Sequence, residues 1–278
     1  MTATWWRVTI TSHPELSDAI AAIVVAVTGN GVEEPATGVV CTTLESEQDA
    51  TLLGQQVQGR FTDVAVRLEP VEPVDWSTRW RDGIVSRTFG RLILTPSWLP
   101  VRAAGDQVVV TIDPESAFGS GEHGSTRGAL ALLERYLCAG DLMLDLGSGS
   151  GILAIAAAKL GARAAVGIEL IDDDLGVAEA NGIRNDVQHC VTFLVGDAGE
   201  LAPLAGPAEI ICSNILRSVN TVLMPGILRA LMPAGTVIFA GMEDIEADLF
   251  RAVLHAHHLI VIDEVRDSGW WSVAVRRQ

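Results

Sequence analysis

From residue 128 to the carboxyl end the chain alternates strand-like and helix-like segments, and this alternation restricts the fold more than any other feature. A helix over 128–137 precedes an apolar strand over 142–146, helix 152–160 precedes strand 164–168, and helix 173–184 precedes strand 190–195. Strand 209–213 leads into a helix around 219–231, and strand 236–240 into helix 245–256. Two last strands, 259–265 and 270–275, follow with no helix between them. Strands and helices that alternate this way bury their apolar faces in a doubly wound α/β sheet. The helix-free final pair predicts an antiparallel closing hairpin at the sheet's edge. The expected core is therefore a Rossmann-like sheet of seven strands with an antiparallel last strand.

Residues 1–72 have another texture. Strand candidates at 5–10, 38–44 and 63–68 enclose a helix running to about residue 27 and a short polar helix over 45–56. Ser12 and Glu15 are spaced as a capping box around Pro14. The order β-α-(β)β-α-β predicts a small ferredoxin-like α+β domain. Glu69-Pro70-Val71-Glu72-Pro73 reads as a linker. Trp76 and Trp80 share one face of a short helix after it, and a hairpin-like stretch runs to Pro96. The expected division is 1–72, a linker helix and hairpin over 73–96, and a catalytic domain over 97–278.

The net charge is −16, with apolar residues at 49%. The apolar content suffices for a core. The charge argues against direct nucleic-acid binding, which needs clustered cations, and favours a basic protein as partner. Cys41, Cys138, Cys190 and Cys212 form no CxxC pair and read as reduced thiols. No signal peptide or membrane span is expected, and the location is expected to be cytoplasmic.

The chemistry centres on Asp145-Leu146-Gly147-Ser148-Gly149-Ser150-Gly151, at the carboxyl end of a strand and the start of a helix. Glycines there permit a tight turn and a close ligand approach. Their spacing departs from the dinucleotide G-x-G-x-x-G. Asp145, before the turn, would repel a pyrophosphate and favour a cationic ligand, a sulfonium or an ammonium. Glu169 ends the next strand, 169 − 151 = 18 residues past the last glycine, where a carboxylate accepts from both ribose hydroxyls or is a solvated strand end. Asp197 either approaches an adenine or is a turn residue. Asn214, after the buried run Ile210-Ile211-Cys212, either orients an amine or caps the next helix. S-adenosylmethionine is the cofactor this pattern favours over NAD.

Residues 113–126 form a Gly-rich polar loop directly before a helix of the sheet domain. Such a loop can fold over a ligand. Ser125 or Thr126 could cap the helix and contact the cofactor. His123 is either a general base or a loop-structuring residue. There is no H-E-x-x-H, no Cys/His cluster and no nucleophile elbow in the sequence, so no metal is expected.

Together these residues resemble the PrmA family, class I S-adenosylmethionine-dependent methyltransferases of the large-subunit ribosomal protein numbered eleven. The carriers are Asp75-Trp76, Arg79-Trp80, Thr95-Pro96-Ser97-Trp98, Asp113-Pro114, Ala117-Phe118-Gly119-Ser120-Gly121, His123, Thr126, the run from Asp145 to Ala157, and Asn214-Ile215-Leu216. The resemblance implies that Thr126, Gly147, Glu169 and Asn214 hold the cofactor, with Asp145, Gly149 and Asp197 nearby. It implies that the amino-terminal domain recognises the ribosomal protein, taken free, and that the linker helix lets it swing. It further implies methylation of lysine side chains and an α-amino group, to the trimethyl level. Two departures stand out: Glu169 replaces the family's usual Asp, and 122–126 differ from its common loop. The expected reaction is an in-line displacement in which a neutral amine attacks the sulfonium methyl, with Asn214 orienting the amine. The alternatives are a methyltransferase of another protein or a small amine, or a non-catalytic S-adenosylmethionine-binding protein.

Overall fold

The computed structural model describes residues 5–61, 63–71, 85–113, 119, 121–172 and 175–278. The chain divides into two compact units, residues 1–82 and 83–278. The expected Trp76/Trp80 helix lies outside the described residues.

In the first unit the order is β1 (Trp5–Thr11), α1 (Ser17–Thr28), β2 (Glu33–Ala36), β3 (Val39–Leu44), α2 (Glu47–Arg60) and β4 (Ala65–Val71). The sheet order is β2-β3-β1-β4, with antiparallel neighbours throughout, as a ferredoxin-like unit requires. Val8 and Ile10, two apart on β1, meet Ile20 and Val24, four apart on α1, and Leu53 and Val57 on α2. Strand and helix periods thus deliver one shared core. Ser46 caps α2 by accepting the Asp49 N–H at 3.0 Å, worth about 1 kcal/mol. The Ser12–Glu15 capping box does not form. Ser12 donates to the His13 carbonyl, and His13 precedes a 3-10 turn, Pro14–Leu16, with no side-chain cap. Proline has no N–H to offer, which suits the first position of that turn.

The second unit opens with a three-stranded sheet, β5 (Arg87–Phe89), β6 (Leu92–Thr95) and β7 (Val108–Thr111), in that order. The hairpin expected before Pro96 is β5–β6. Then come α3 (Gly124–Tyr136), β8 (Leu142–Leu146), α4 (Ile152–Leu160), β9 (Ala164–Glu169), α5 (Leu175–Arg184), β10 (Val191–Val195) and α6 (Ala198–Ala205). They are followed by β11 (Ala208–Asn214), α7 (Arg217–Ala230), β12 (Leu231–Glu243), α8 (Ala247–Ala256), β13 (Leu259–Asp267) and β14 (Trp270–Arg277).

The large sheet has seven strands in the order β10-β9-β8-β11-β12-β14-β13. The first five are parallel, and β14 runs antiparallel to both neighbours. The chain winds outward from β8 to β10, then returns to lay β11 on the other side of β8. Ligands bind such sheets at this switch point, beyond the carboxyl ends of the strands. Helix α4 buries every residue from Ile152 to Ala157, which roots the switch point in the core. Among the described residues no helix is long and apolar enough to cross a membrane.

Three elements differ from expectation. Helix α3 begins at Gly124, four residues before the expected start. Its two glycines let it press onto the final hairpin: a Cβ at Gly124 would lie 2.3 Å from the Asp267 carbonyl, and one at Gly128 2.4 Å from Ser272 Oγ. Helix α6 was not expected, because it is short and holds Pro203. Strand β12 starts at Leu231, since the chain pairs with Ala208 before Pro233 and Gly235.

Candidate active site

A cleft of ≈ 220 Å³ lies at the switch point, lined by Gly119, Gly147, Ser148, Gly149, Ile152, Leu153, Glu169, Asn214 and Ile215. Its first wall is the turn between β8 and α4. Gly147 (φ 76°), Gly149 (φ 46°) and Gly151 (φ 79°) all take the left-handed conformation that favours glycine. A Cβ at Gly147 would stand 2.4 Å from Ile215 Cγ2, and one at Gly151 2.6 Å from the Phe193 ring. The turn therefore needs glycine for its conformation and for its neighbours.

Glu169 lines the cleft and folds onto this turn. Its Oε2 accepts the Gly149 N–H at 2.9 Å, and its Oε1 accepts the Leu170 N–H. In a dinucleotide-binding turn such N–H groups receive a pyrophosphate. Here a carboxylate already holds one of them, which disfavours a phosphate ligand and leaves an acceptor surface for hydroxyl donors.

Asp145 is placed differently from the expectation that it faces a cation. It is wholly buried beneath the turn and lines no part of the cleft. Its Oδ2 accepts the N–H of Ala154 in the first turn of α4 at 3.1 Å, and Oδ1 has no partner among the described residues. Burial pushes its pKa up to about 8, and the Ala154 N–H and the Glu169 charge only modify that. At pH 7 it is mostly a neutral acid, so the carboxylate on the cleft wall is that of Glu169. Cys212 stands opposite Asp145 on β11, and burial raises its thiol well above the usual range. It is an inert core thiol; all four cysteines are free.

The second wall is made by side chains. Asn214, at the end of β11, donates from Nδ2 to Thr126 Oγ1 at 3.2 Å. Its Oδ1 is buried and has no partner among the described residues. Buried acceptors are almost always paired, so an orphan beside a cleft calls for a ligand donor. Thr126 is fully buried in the first turn of α3, so it acts on the amide and caps nothing. This contact ties the amide to the first turn of α3. Nor does Asn214 cap α7: that position belongs to Leu216. Asn220 organises the segment instead, accepting from Ser213 Oγ and donating to the Ile215 carbonyl.

His123 occupies the cap position of α3 without a side-chain cap bond. Its Nδ1 lies 2.7 Å from Ser125 Oγ, and its ring lies 4.1 Å from that of Trp270. Burial and the nearby Arg127 cation lower its pKa, so it stays neutral at pH 7. Asp197 is exposed and caps α6, accepting the Gly199 N–H at 2.7 Å. Neither side chain lines the cleft.

Several supporting residues escaped the sequence reading. Asn181 and Asn185, four apart on α5, are buried. Asn181 exchanges hydrogen bonds with the main chain of Asp113 and donates to the Ser150 carbonyl, tying the loop's base to the glycine turn. Asn185 does the same for Thr111. Two asparagines one helical turn apart were the available signal. Arg127 grips Asp267 through Nε and Nη2 at 2.6 and 2.7 Å and also donates to the Glu122 carbonyl. Its guanidinium holds the Asp267 carboxyl at about 2. Burial pushes the Glu122 pKa up, and its pairing with Arg87, the Val85 N–H and the nearby Arg127 together leave it lowered.

A family model described as ribosomal protein L11 methyltransferase (PrmA) matches residues 35–278. The ribosomal protein L11 methyltransferase of Pelotomaculum thermopropionicum is 34% identical over 231 residues, 83% of this chain and 74% of that protein. That of Thermus thermophilus is 34% identical over 209 residues, 75% of this chain and 80% of the relative. The crystal structure of a ribosomal protein L11 methylase from Lactobacillus delbrueckii subsp. bulgaricus is similar at a TM-score of 0.63 and 29% identity, covering 69% of this chain and 98% of that one. The chain belongs to the ribosomal protein L11 methyltransferase family.

Proposed function

We propose that this enzyme transfers methyl groups from S-adenosylmethionine to amines of ribosomal protein L11, lysine side chains and an α-amino group. The observation that carries the reading is the orphaned, buried Asn214 Oδ1 at the switch-point cleft. It is an acceptor with nothing to accept from until an N–H donor arrives.

The cleft suits the cofactor. Glu169 offers carboxylate oxygens to ribose hydroxyls, and Gly147 and Gly149 leave room for close approach. When bound, S-adenosylmethionine supplies an electrophilic sulfonium methyl. The chain's own residues position the nucleophile. Asn214 Oδ1 accepts one N–H of the incoming amine, and Thr126 holds the other end of the amide. A lysine must lose its proton before attack, and desolvation in the cleft favours the neutral amine. Most of the rate then comes from orientation. His123 supports the loop through Ser125 and Trp270 in this reading and is not the base.

Residues 1–72 recognise the protein substrate, residues 73–96 connect, and residues 97–278 carry the chemistry. The negative net charge suits capture of free ribosomal protein in the cytoplasm and involves no direct contact with RNA. The test is transfer of labelled methyl from S-adenosylmethionine to purified L11, with mass spectrometry of its peptides. Label on lysines or the amino terminus is expected. Label only on other proteins or small amines, or cofactor binding without turnover, would overturn the assignment.

A further inference from the structure

Beside the cleft the molecule exposes two apolar stripes. Leu216 caps α7 and is followed on that helix by Val219 and Val222; Ile245 lies in the 3-10 turn Asp244–Glu246, and Leu249 follows it on α8. Ile245 is 82% exposed, Val222 76%, Leu216 66% and Leu249 60%. An ion pair joins the stripes, Arg217 Nε to Glu246 Oε1 at 2.9 Å. The face is continuous with the site. Leu216 directly follows Ile215, a cleft residue, and Gly241 presses on the Ile215 main chain so closely that a Cβ would meet its carbonyl at 2.4 Å.

Grouped apolar side chains left in water at a cleft's mouth mark a contact surface. The surrounding charge says for what. Residues 243–248 carry Glu243, Asp244, Glu246 and Asp248 and no cation. Arg266 and Arg217 pair with Asp244 and Glu246, leaving the rim negative.

We propose that the face formed by Leu216, Val219, Val222, Ile245 and Leu249 docks the protein substrate. The apolar side chains meet an apolar patch flanking the target lysine, and the acidic rim meets basic residues around it. The assignment rests on the methyltransferase reading above. It adds a docking surface on the catalytic unit to the one expected of residues 1–72.

The test uses the full chain and the Ile245→Arg and Val222→Arg variants, with Ile183→Arg on α5 as a remote exposed control. Wild-type turnover of L11 is measured first; its absence would sink the functional reading itself. Given turnover, each face variant is expected to raise KM for L11 about tenfold or more, the size of an interface anchor. The melting temperature, S-adenosylmethionine affinity and turnover of a short lysine peptide stay unchanged, as does KM for L11 in the control. An unchanged KM for L11 in both face variants overturns the docking surface. So does an equal loss on the short peptide. So does a wild-type dimer in sedimentation that Ile245→Arg dissolves without changing KM, because the face would then belong to a second copy.

Discussion

On one side of the cleft the wall is main chain: a turn of three left-handed glycines held by Glu169 and rooted in a helix buried from Ile152 to Ala157. On the other side it is side chains, Asn214 on Thr126, with Arg127 of the same helix held by Asp267. The difference matches the two partners. A cofactor presents the same shape at every turnover, and a rigid main-chain cradle pre-organises for it at no cost in rotamers. An amine nucleophile must be gripped by one atom with the right polarity, which only an oriented side chain provides. Damage to the first wall should therefore appear in cofactor affinity, and damage to the second in turnover.

The largest expected effect is Gly147→Arg. It adds a Cβ where 2.4 Å separates it from Ile215 and fills the cleft from a strained backbone. Calorimetry should find S-adenosylmethionine affinity reduced by about a hundredfold or more. Next is Asn214→Ala, which removes the acceptor. Single-turnover kinetics should find kcat down by about a hundredfold, as for loss of one positioned polar group in other enzymes. Thr126→Val keeps the shape and removes the hydroxyl. A tenfold fall in kcat, roughly 1.4 kcal/mol, is expected with cofactor affinity nearly unchanged, and Thr126→Ser should restore it. Equal losses in affinity and turnover would erase the distinction between the walls.

The last effect is read in stability and leaves both walls in place. Asp145 has a folded pKa of about 8, above its value of 3.8 when unfolded. The unfolded chain therefore holds fewer protons between these values, and stability falls as pH rises from about 4 to 8. The slope from this one group is at most about 1.4 kcal/mol per pH unit. Asp145→Asn should flatten denaturant-measured stability across that range. An unchanged slope would mean that the carboxyl is ionised in the fold.

The main-chain wall was legible in the sequence because its parts are close along the chain: a strand, a glycine turn and a helix within 142–160. The sheet was legible for the same reason. Of the side-chain wall, Asn214 and Thr126 were named, but their pairing and the supports behind them were not. Asn214 and Thr126 are 88 residues apart, Arg127 and Asp267 140, and Asn181 and Asp113 68. No local period encodes such pairs. Asn214 was found because it ends a buried strand, but its amide's orientation depends on where α3 begins, and that depends on the packing of Gly124 and Gly128 on the last hairpin. Asp145 misled in the opposite way. Its sign was plain, but its charge state depends on how completely α4 covers it.

The central claim is that the Asn214 acceptor serves an amine of L11. The most direct test follows methyl transfer to L11 in a single turnover with saturating S-adenosylmethionine, comparing wild type with Asn214→Ala. The account predicts methylated lysine in the wild type, and in the variant bound cofactor with transfer slowed by about a hundredfold. Transfer to L11 at the wild-type rate by Asn214→Ala would contradict it.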